Sequence, residues 1–372
     1  VEVGEVVDFL KDSERYTALG ARGPRGVLLH GPSGCGKTLV ARAIAGEAGC
    51  CFISISGSEF VKKYVGTGAM TVRYIFDFAR RMSKQVPVII FIDEMDGLGH
   101  RRSLNASGGQ TEYNNTINEI LKQMDGFSRD ESVMVIGATN LIEEMDSALL
   151  RPGRFDRKVF VPLPTRQARK EIMDFYLGRI LLDETNPADE IIRTFCNRTV
   201  GFSGAALENF INEAAIFAAR SNTSSVTKQH FEDAFDKITL GLVVSRERTE
   251  KGLTRTAYHE AGHTLIAALT GLPVAKVSIL SRGNALGVTW MGGKDEEGVS
   301  QTRSELFYEV MCFQGGYAAE LLQFGEVALG VCDDLNKAGR IADKMIKQFG
   351  MGGGDLEGVA IFNTASEFVR QR

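Results

Sequence analysis

Five short apolar runs in the first 161 residues have the character of buried β-strands, and helical patterns separate the first four. They occupy residues 27–29, 51–55, 88–92, 133–137 and 158–161. Strands that are apolar throughout and alternate with helices indicate a parallel sheet with both faces covered. We therefore predict an α/β domain over residues 1–162.

The remainder of the chain is patterned mainly as helices. Residues 163–240 predict a small helical lid, because residues 205–220 carry apolar side chains at helical spacing. These side chains are Leu207, Phe210, Ile211, Ala214, Ala215, Phe217 and Ala218. We predict a linker over 241–252, followed by a mainly helical second domain over 253–372. Its two predicted strands are 277–279 and 285–289.

Composition excludes some classes of protein. The 372 residues carry a net charge of −4 and no basic stripe, which argues against a nucleic-acid partner. Six cysteines without a C-x-x-C spacing indicate reduced thiols of an intracellular compartment. No apolar run reaches the ~18 residues of a membrane span. Because the chain begins with Val1 and not with Met, we expect a fragment whose upstream part, including any anchor, lies outside this sequence.

A phosphate-binding motif, G-x-x-x-x-G-K-[ST], follows the first predicted strand and opens a predicted helix. It consists of Gly31, Pro32, Ser33, Gly34, Cys35, Gly36, Lys37 and Thr38. In this context the loop amides and the helix start favour an anion. We expect Lys37 to reach the β- and γ-phosphates of ATP and Thr38 to bind Mg²⁺. The alternative, a glycine-rich turn with an isolated lysine, does not account for the strand–loop–helix order.

Polar residues end the third and fourth predicted strands. Asp93 and Glu94 follow the third, and Asn140 follows the fourth. Ligands bind at the carboxyl ends of such strands. We expect Asp93 to hold Mg²⁺ directly or through water, Glu94 to polarise the attacking water, and Asn140 to orient it. The alternatives are two solvated acids and a capping asparagine.

Two arginines flank a Pro-Gly turn that precedes the fifth strand. If this turn lies at the edge of the sheet, Arg151 and Arg154 cannot easily reach their own phosphate loop. They suit the γ-phosphate of a neighbouring subunit, as arginine fingers do. The alternative is that both are ordinary surface residues.

A second candidate centre is an H-E-x-x-H motif on a helical pattern at 256–266. His259 and His263 are four residues apart, so they share one helix face and can both bind Zn²⁺. Glu260 is the candidate general base. The alternative is a helix with two surface histidines, but two of the five histidines in the chain form this pair.

A third metal ligand is needed, and two adjacent acids open the next strong helical pattern. They are Asp333 and Asp334. Neighbouring helix residues point in different directions, so only one of them should face the metal. The residues alone leave open which one does, because both could be helix caps.

With these motifs the chain resembles the AAA+ ATPases, and in particular the FtsH-type ATP-dependent zinc metalloproteases of peptidase family M41. The resemblance covers essentially the whole chain. Besides the motifs above it rests on the segments FLKD at 9–12, LGAR at 19–22, GSEFV at 57–61 and MDGF at 124–127. Four positions depart from the family pattern, where Pro, Thr, Asp and Arg are usual: Ser33, Cys35, Ala206 and Tyr317.

The resemblance adds roles that the residues alone do not assign. It implies that Asp334 is the third zinc ligand and that Asp333 caps the helix. It also makes Glu320 a candidate hydrogen-bond partner of a ligand histidine. In the family an aromatic–Val–Gly loop lines the pore of a hexamer, and the matching residues are Tyr64, Val65 and Gly66. Alone, this tyrosine would be interpreted as a packed loop residue.

The resemblance implies an ATP-dependent zinc metalloendopeptidase that uses ATP with Mg²⁺ and one Zn²⁺ per subunit. A homo- or hetero-hexamer would pull protein substrates through its pore to a zinc chamber, in protein quality control. It also implies an anchor, outside this soluble segment, in a bacterial inner membrane or a mitochondrial or chloroplast membrane, and a peptidase domain that continues past residue 372.

Two other functions stay open. The first is a remodelling ATPase that no longer cleaves, which the intact His259, Glu260 and His263 set disfavours. The second is a nucleic-acid motor, which the acidic balance disfavours.

Overall fold

The computed structural model describes residues 2–20, 23–60, 67–98, 108–127, 132–241, 249–281, 286–291 and 301–352. The chain divides into two compact units. The first comprises Val1–Pro164 with Ser203–Ala206, and the second comprises Thr165–Phe202 with Leu207–Arg372.

The first unit is built on a five-stranded parallel sheet. In chain order its strands are β1 Gly26–His30, β2 Cys51–Ser56, β3 Val88–Asp93, β4 Val133–Thr139 and β5 Phe155–Phe160. The strand order is β2-β3-β4-β1-β5, and every pair is parallel. The predicted α/β fold with a parallel sheet is confirmed.

Helices cover both faces of this sheet. They are α1 Glu2–Lys11, α2 Ser13–Ala18, α3 Lys37–Ala48, α4 Thr67–Met82 and α5 Gly108–Asp125. Side chains alternate between the two faces of a strand. Leu28 and Ile90 therefore join the core with α4 and α5, whereas Val27 and Ile89 join the core with α1 and α3.

The strand order positions the polar residues at one sheet edge. Strand β1 lies between β4 and β5, and β4 lies between β1 and β3. Because all the strands are parallel, the residues that follow β1, β3 and β4 meet at the same carboxyl edge. These are the phosphate motif, Glu94 and Asn140.

The second unit begins with a four-helix lid. Its helices are α6 Arg166–Leu177, α7 Ala188–Phe195, α8 Gly204–Arg220 and α9 Lys228–Leu240. Its core is aromatic, with ring centroids of Phe195, Phe210, Phe231 and Phe235 5.1–6.3 Å apart. Of the predicted core residues of α8, five are fully buried, and the other two, Ala215 and Phe217, are partly buried.

Three helices and a hairpin follow the lid. They are α10 Glu250–Thr270, β6 Val274–Ser278, β7 Val288–Met291, α11 Arg303–Phe324 and α12 Cys332–Lys347. Strands β6 and β7 pair antiparallel. Helix α10 begins inside the segment predicted as a linker, because Thr249 caps it by accepting a hydrogen bond from the Gly252 N–H.

Among the described residues, no helix combines the length and the apolar character that crossing a membrane requires.

Candidate functional site

The phosphate motif forms a tight loop between β1 and α3. Gly34 and Gly36 have φ angles of 75° and 90°, a left-handed conformation that side chains other than glycine rarely adopt. Helix α3 then begins at Lys37. The start of α8 also contacts this loop, because the Ala205 N–H donates to the Gly34 carbonyl at 3.1 Å. The loop therefore has the conformation that an anion-binding turn requires.

Lys37 is held at the mouth of the loop. Its Nζ donates to the carbonyls of Gly31 and Pro32 at 2.8 and 2.9 Å, and to Asn140 Oδ1 at 2.7 Å. Burial lowers the pKa of Lys37, and the carboxylates of Asp93 and Asp96 oppose this effect. The structure thus brings Lys37 and Asn140 together, although 103 residues separate them.

The carboxylates after β3 face the start of α3. Thr38 Oγ1 donates to Asp93 Oδ2 at 2.8 Å. Glu94 Oε2 accepts a hydrogen bond from Ser56 Oγ at 3.3 Å, and the Glu94 N–H donates to Asp93 Oδ1 at 2.9 Å. A hydroxyl beside a carboxylate is an oxygen donor set that suits Mg²⁺.

Two residues of this site were not predicted from the sequence. Ser56, at the end of β2, contacts Glu94. Asp96 Oδ1 accepts hydrogen bonds from Thr139 Oγ1 at 3.1 Å and from the Asn140 N–H at 3.4 Å. The position of Asp96, two residues after Glu94, is the only sequence signal for it.

The two predicted arginine fingers have different surroundings. Arg154 forms a fork with Asp125, at 3.0 Å from Nε to Oδ1 and 2.8 Å from Nη2 to Oδ2. This hydrogen bonding lowers the pKa of Asp125. Arg151 is exposed. A role for either residue at a neighbouring subunit stays a prediction. The predicted pore residues Tyr64, Val65 and Gly66 lie outside the described residues.

Helix α10 presents two imidazoles to the start of α12. Nε2 of His259 and Nε2 of His263 are 3.0 Å apart. Oδ2 of Asp334 lies 3.2 Å from the first and 3.3 Å from the second. All three donor atoms lie within 4.8 Å of one another. The structure thus brings together the three residues proposed as zinc ligands.

The adjacent acid, Asp333, points elsewhere. It is exposed and pairs with Lys337 at 2.7 Å. The expectation that it caps the helix is wrong, because a short 3-10 turn over Leu329–Val331 moves the helix start back to Cys332. Asp333 therefore lies inside the first turn, where its charge still favours the positive end of the helix.

The outer nitrogens of both histidines are hydrogen-bonded. His263 Nδ1 donates to the Cys312 carbonyl at 2.7 Å, and His259 Nδ1 faces Glu320 Oε1 at 2.8 Å. A neutral ring with its hydrogen on Nδ1 has an Nε2 lone pair free to bind a cation, whereas a protonated ring donates from Nε2 to Asp334. Two imidazoles with a carboxylate form a ligand set for zinc. The residues therefore fit the metal.

The electrostatics of the group agree with cation binding. Burial alone would raise the pKa of Asp334, but hydrogen bonds with the two histidines outweigh it and hold this pKa well below its usual range. Burial alone would lower the pKa of His259, but contacts with Asp334 and Glu320 raise it. The site thus keeps its carboxylate ionised.

Glu260 lies next to this group on α10 and is only 6% exposed. Burial raises the pKa of its carboxyl group, and a hydrogen bond from Thr289 opposes the shift. Thr289 Oγ1 donates to Glu260 Oε2 at 2.7 Å. A buried carboxylate with a raised pKa beside three candidate metal ligands has the properties of a general base.

The fold and the two sites define a class of protein, an ATPase module with a helical lid followed by a helical zinc-site domain. Three family models match the chain. They are the ATPase family associated with various cellular activities (AAA) at residues 27–163, the AAA+ lid domain at 189–233 and peptidase family M41 at 246–368.

Curated relatives are similar to this chain over most of its length. ATP-dependent zinc metalloprotease FtsH of Synechococcus sp. (strain JA-2-3B'a(2-13)) is 45% identical over 94% of this chain and 55% of its own length. The protein of the same name from Cupriavidus metallidurans is 46% identical over 94% of this chain and 53% of its own length. The protein of the same name from Caldicellulosiruptor bescii is 42% identical over 99% of this chain and 59% of its own length.

The chain therefore belongs to the FtsH-type family of AAA+ zinc metalloproteases. It spans about half the length of the curated relatives that it matches.

Proposed function

We propose that this protein is an ATP-dependent zinc metalloendopeptidase that unfolds proteins and cleaves them. The observation that carries the proposal is that one chain contains both a phosphate loop with its acidic partners and a His259–His263–Asp334 group with a buried glutamate.

The ATPase half uses the residues at the carboxyl edge of the sheet. Lys37 binds the β- and γ-phosphates, and Thr38 with Asp93 holds Mg²⁺. Glu94 activates the attacking water, and Asn140 orients it. The hydrogen bonds from Thr38 to Asp93 and from Lys37 to Asn140 support this assignment, because they already place these four side chains together.

The peptidase half uses α10 and α12. His259, His263 and Asp334 would hold zinc, and Glu320 fixes the orientation of His259. Zinc supplies Lewis-acid chemistry, which polarises a peptide carbonyl and makes water a nucleophile near neutral pH. Glu260 takes the proton of the attacking water on its carboxylate and then donates it to the leaving amine. Its raised pKa suits both roles.

We also propose the assembly that connects the two halves. Arg151 and Arg154 act on the nucleotide of a neighbouring subunit in a homo- or hetero-hexamer, and the loop with Tyr64 grips the substrate in the central pore. The chain is divided into an ATPase domain at 1–162, a lid at 163–240 and a peptidase domain from 253. The whole protein acts in protein quality control at a membrane, through an anchor outside this sequence.

The test measures zinc content, short-peptide cleavage, ATP turnover and degradation of a folded fluorescent protein in one preparation. Tyr64→Ala should stop degradation of the folded protein while ATP turnover and short-peptide cleavage continue, and Tyr64→Phe should behave as wild type. Absence of zinc-dependent cleavage in the wild type would favour a remodelling ATPase. Turnover that DNA or RNA stimulates would favour a nucleic-acid motor.

A further inference from the structure

Strand β7 contacts the candidate base directly. Thr289 Oγ1 lies 2.7 Å from Glu260 Oε2 and 3.3 Å from the Glu260 carbonyl oxygen. A hydroxyl has one hydrogen to donate, and the shorter contact assigns it to the carboxylate. The hydrogen bond fixes one oxygen of Glu260 from outside its own helix.

The residue two positions before Thr289 faces the other oxygen. A Cβ built on Gly287 would lie 2.6 Å from Glu260 Oε1, 2.8 Å from Glu260 Cγ and 2.7 Å from Thr256 Cγ2. At these distances a Cβ would have to displace the Glu260 carboxylate or the Thr256 methyl group. Because Gly287 has no side chain, its backbone packs close to Oε1, the oxygen that Thr289 does not hold.

The next residue of β7 points in the opposite direction, as expected for a strand. The Trp290 ring packs edge-on against Phe235 of α9, with centroids 6.4 Å apart and planes at 89°. Lys276, the partner of Trp290 on β6, has its Nζ 2.5 Å from Asp236 Oδ1 and 3.7 Å from Glu232 Oε2. An aromatic contact and two ion pairs thus attach the hairpin to the last helix of the lid.

We propose that β7 is the positioning strand for the general base. Thr289 holds Oε2 of Glu260, Gly287 just before the strand packs close to Oε1, and Trp290 anchors the strand to α9. The orientation of the base thus depends on the contact between the hairpin and the lid. The inference rests on the proposed peptidase function, and Thr289 acts through Glu260 and not on the substrate.

The first test compares Thr289→Val, which is nearly isosteric, with Thr289→Ser, which keeps the hydroxyl. For cleavage of a short peptide, Thr289→Val should lower kcat about ten- to a hundredfold with KM and zinc content unchanged, as expected for a lost hydrogen bond to a charged group. Thr289→Ser should restore most of kcat. The matched control is Thr264→Val, because Thr264 Oγ1 donates to the backbone carbonyl of Glu260, at 2.8 Å. Wild-type kcat in Thr289→Val, or equal losses in both valine variants, would overturn the proposal.

The second test does not need activity. Thermal unfolding of chelator-treated protein is compared for Thr289→Val, Glu260→Ala and the double variant. If the hydrogen bond exists, the loss of Tm in the double variant is smaller than the sum of the two single losses. Additive losses would contradict the contact. A wild type that does not cleave peptides would overturn the proposed function, and this cycle would still test Thr289.

Two further variants test the other parts of the strand. Gly287→Ala should lower kcat with zinc retained, because the added methyl group displaces the carboxylate. Trp290→Ala should lower kcat while Trp290→Phe, which keeps an aromatic contact with Phe235, should not. Unchanged kcat in Trp290→Ala, with a normal melting curve, would show that the lid contact does not position the strand.

Discussion

Glu94 has a backbone φ of 52°, which is uncommon for a residue other than glycine. This strained residue directly follows β3. Its backbone N–H donates to the Asp93 carboxylate, and its own carboxylate accepts a hydrogen bond from the Ser56 hydroxyl. Unfavourable backbone angles of this kind cluster at functional sites, where the surrounding structure maintains them. The conformation supports a role for Glu94 in hydrolysis.

Replacing Glu94 should separate hydrolysis from binding. Glu94→Gln keeps the contacts around Lys37 and Thr38 but removes the base, so ATP turnover should fall at least about a hundredfold with nucleotide affinity preserved. Lys37→Ala should weaken binding itself. Turnover and titration with a fluorescent nucleotide measure the two effects, and Glu47→Gln, an exposed glutamate on α3, is the control. Normal turnover in Glu94→Gln would exclude it as the catalytic carboxylate.

The two acids at the start of α12 offer a matched pair of variants. Asp334→Ala should lose most of the zinc because it removes one of the three proposed ligands, whereas Asp333→Ala should keep about one zinc per chain because Asp333 is exposed and pairs with Lys337. Metal analysis after dialysis measures both. If Asp333→Ala lost zinc and Asp334→Ala retained it, Asp333 and not Asp334 would be the third zinc ligand.

The candidate residues that share one motif could be predicted from the sequence. The residues of other segments that hydrogen-bond to them could not. His259, Glu260 and His263 share one helix, so their spacing predicts a common face. Thr289 and Ser56 belong to other segments, and no spacing rule connects them to the carboxylates that they contact. Glu320 and Asp334 could be assigned only through resemblance to a family.

At the scale of elements, α10 and α11 cross at two glycines. A Cβ on Gly262 would lie 2.2 Å from the Gly315 carbonyl oxygen, and a Cβ on Gly315 would lie 2.6 Å from the Gly262 carbonyl oxygen. Gly316 makes room for the His259 ring in the same way, because a Cβ on Gly316 would lie 2.6 Å from His259 Nε2. Close approach of the two helices thus positions both histidines.

Adding a methyl group at this crossing should damage stability and the metal site together. Gly262→Ala forces the helices apart, so we expect a loss of about 1–3 kcal/mol in the free energy of unfolding and weaker zinc binding. Gly339→Ala on α12 is the control, since nothing lies within 4 Å of its Cβ and alanine favours a helix. Denaturant unfolding and zinc titration measure both. Wild-type behaviour of Gly262→Ala would contradict the close crossing.

An ion pair in the lid should make its stability depend on pH. Burial alone would raise the pKa of Glu232, but the Arg198 guanidinium, at 2.6 and 3.0 Å, outweighs it and lowers this pKa. A carboxyl group whose pKa is lowered by folding stabilises the fold above its ordinary value of about 4.3 and loses that contribution as the pH falls through its folded value. The stability difference between wild type and Glu232→Gln should therefore be largest at neutral pH and shrink in acid. A difference independent of pH would contradict the assignment.

Secondary structure was predictable where hydrophobic periodicity was strong. The five strands of the sheet occur where apolar runs predict them, although β5 begins three residues early because Phe155 is fully buried. The contact between the β6–β7 hairpin and α9 could not be predicted, because a tryptophan and a lysine in short strands carry no signal for their partners.

At the scale of the whole molecule, we propose that one chain connects ATP hydrolysis to cleavage at a zinc site. The two candidate centres lie in different parts of the sequence, and we expect that a substitution at Glu94 or at Glu260 inactivates only one of them. If the two centres are coupled, degradation of a folded substrate needs both the ATPase centre and the zinc centre, whereas cleavage of a short peptide needs only the zinc centre.

The most direct measurement follows a folded fluorescent protein and a short peptide in the same reaction, with ATP, for wild type and both variants. Glu94→Gln should leave peptide cleavage near the wild-type rate but stop degradation of the folded protein. Glu260→Gln should stop both while ATP turnover and zinc content persist. Degradation of the folded protein by Glu94→Gln at the wild-type rate would show that unfolding does not need Glu94, and peptide cleavage by Glu260→Gln at the wild-type rate would show that Glu260 is not the base.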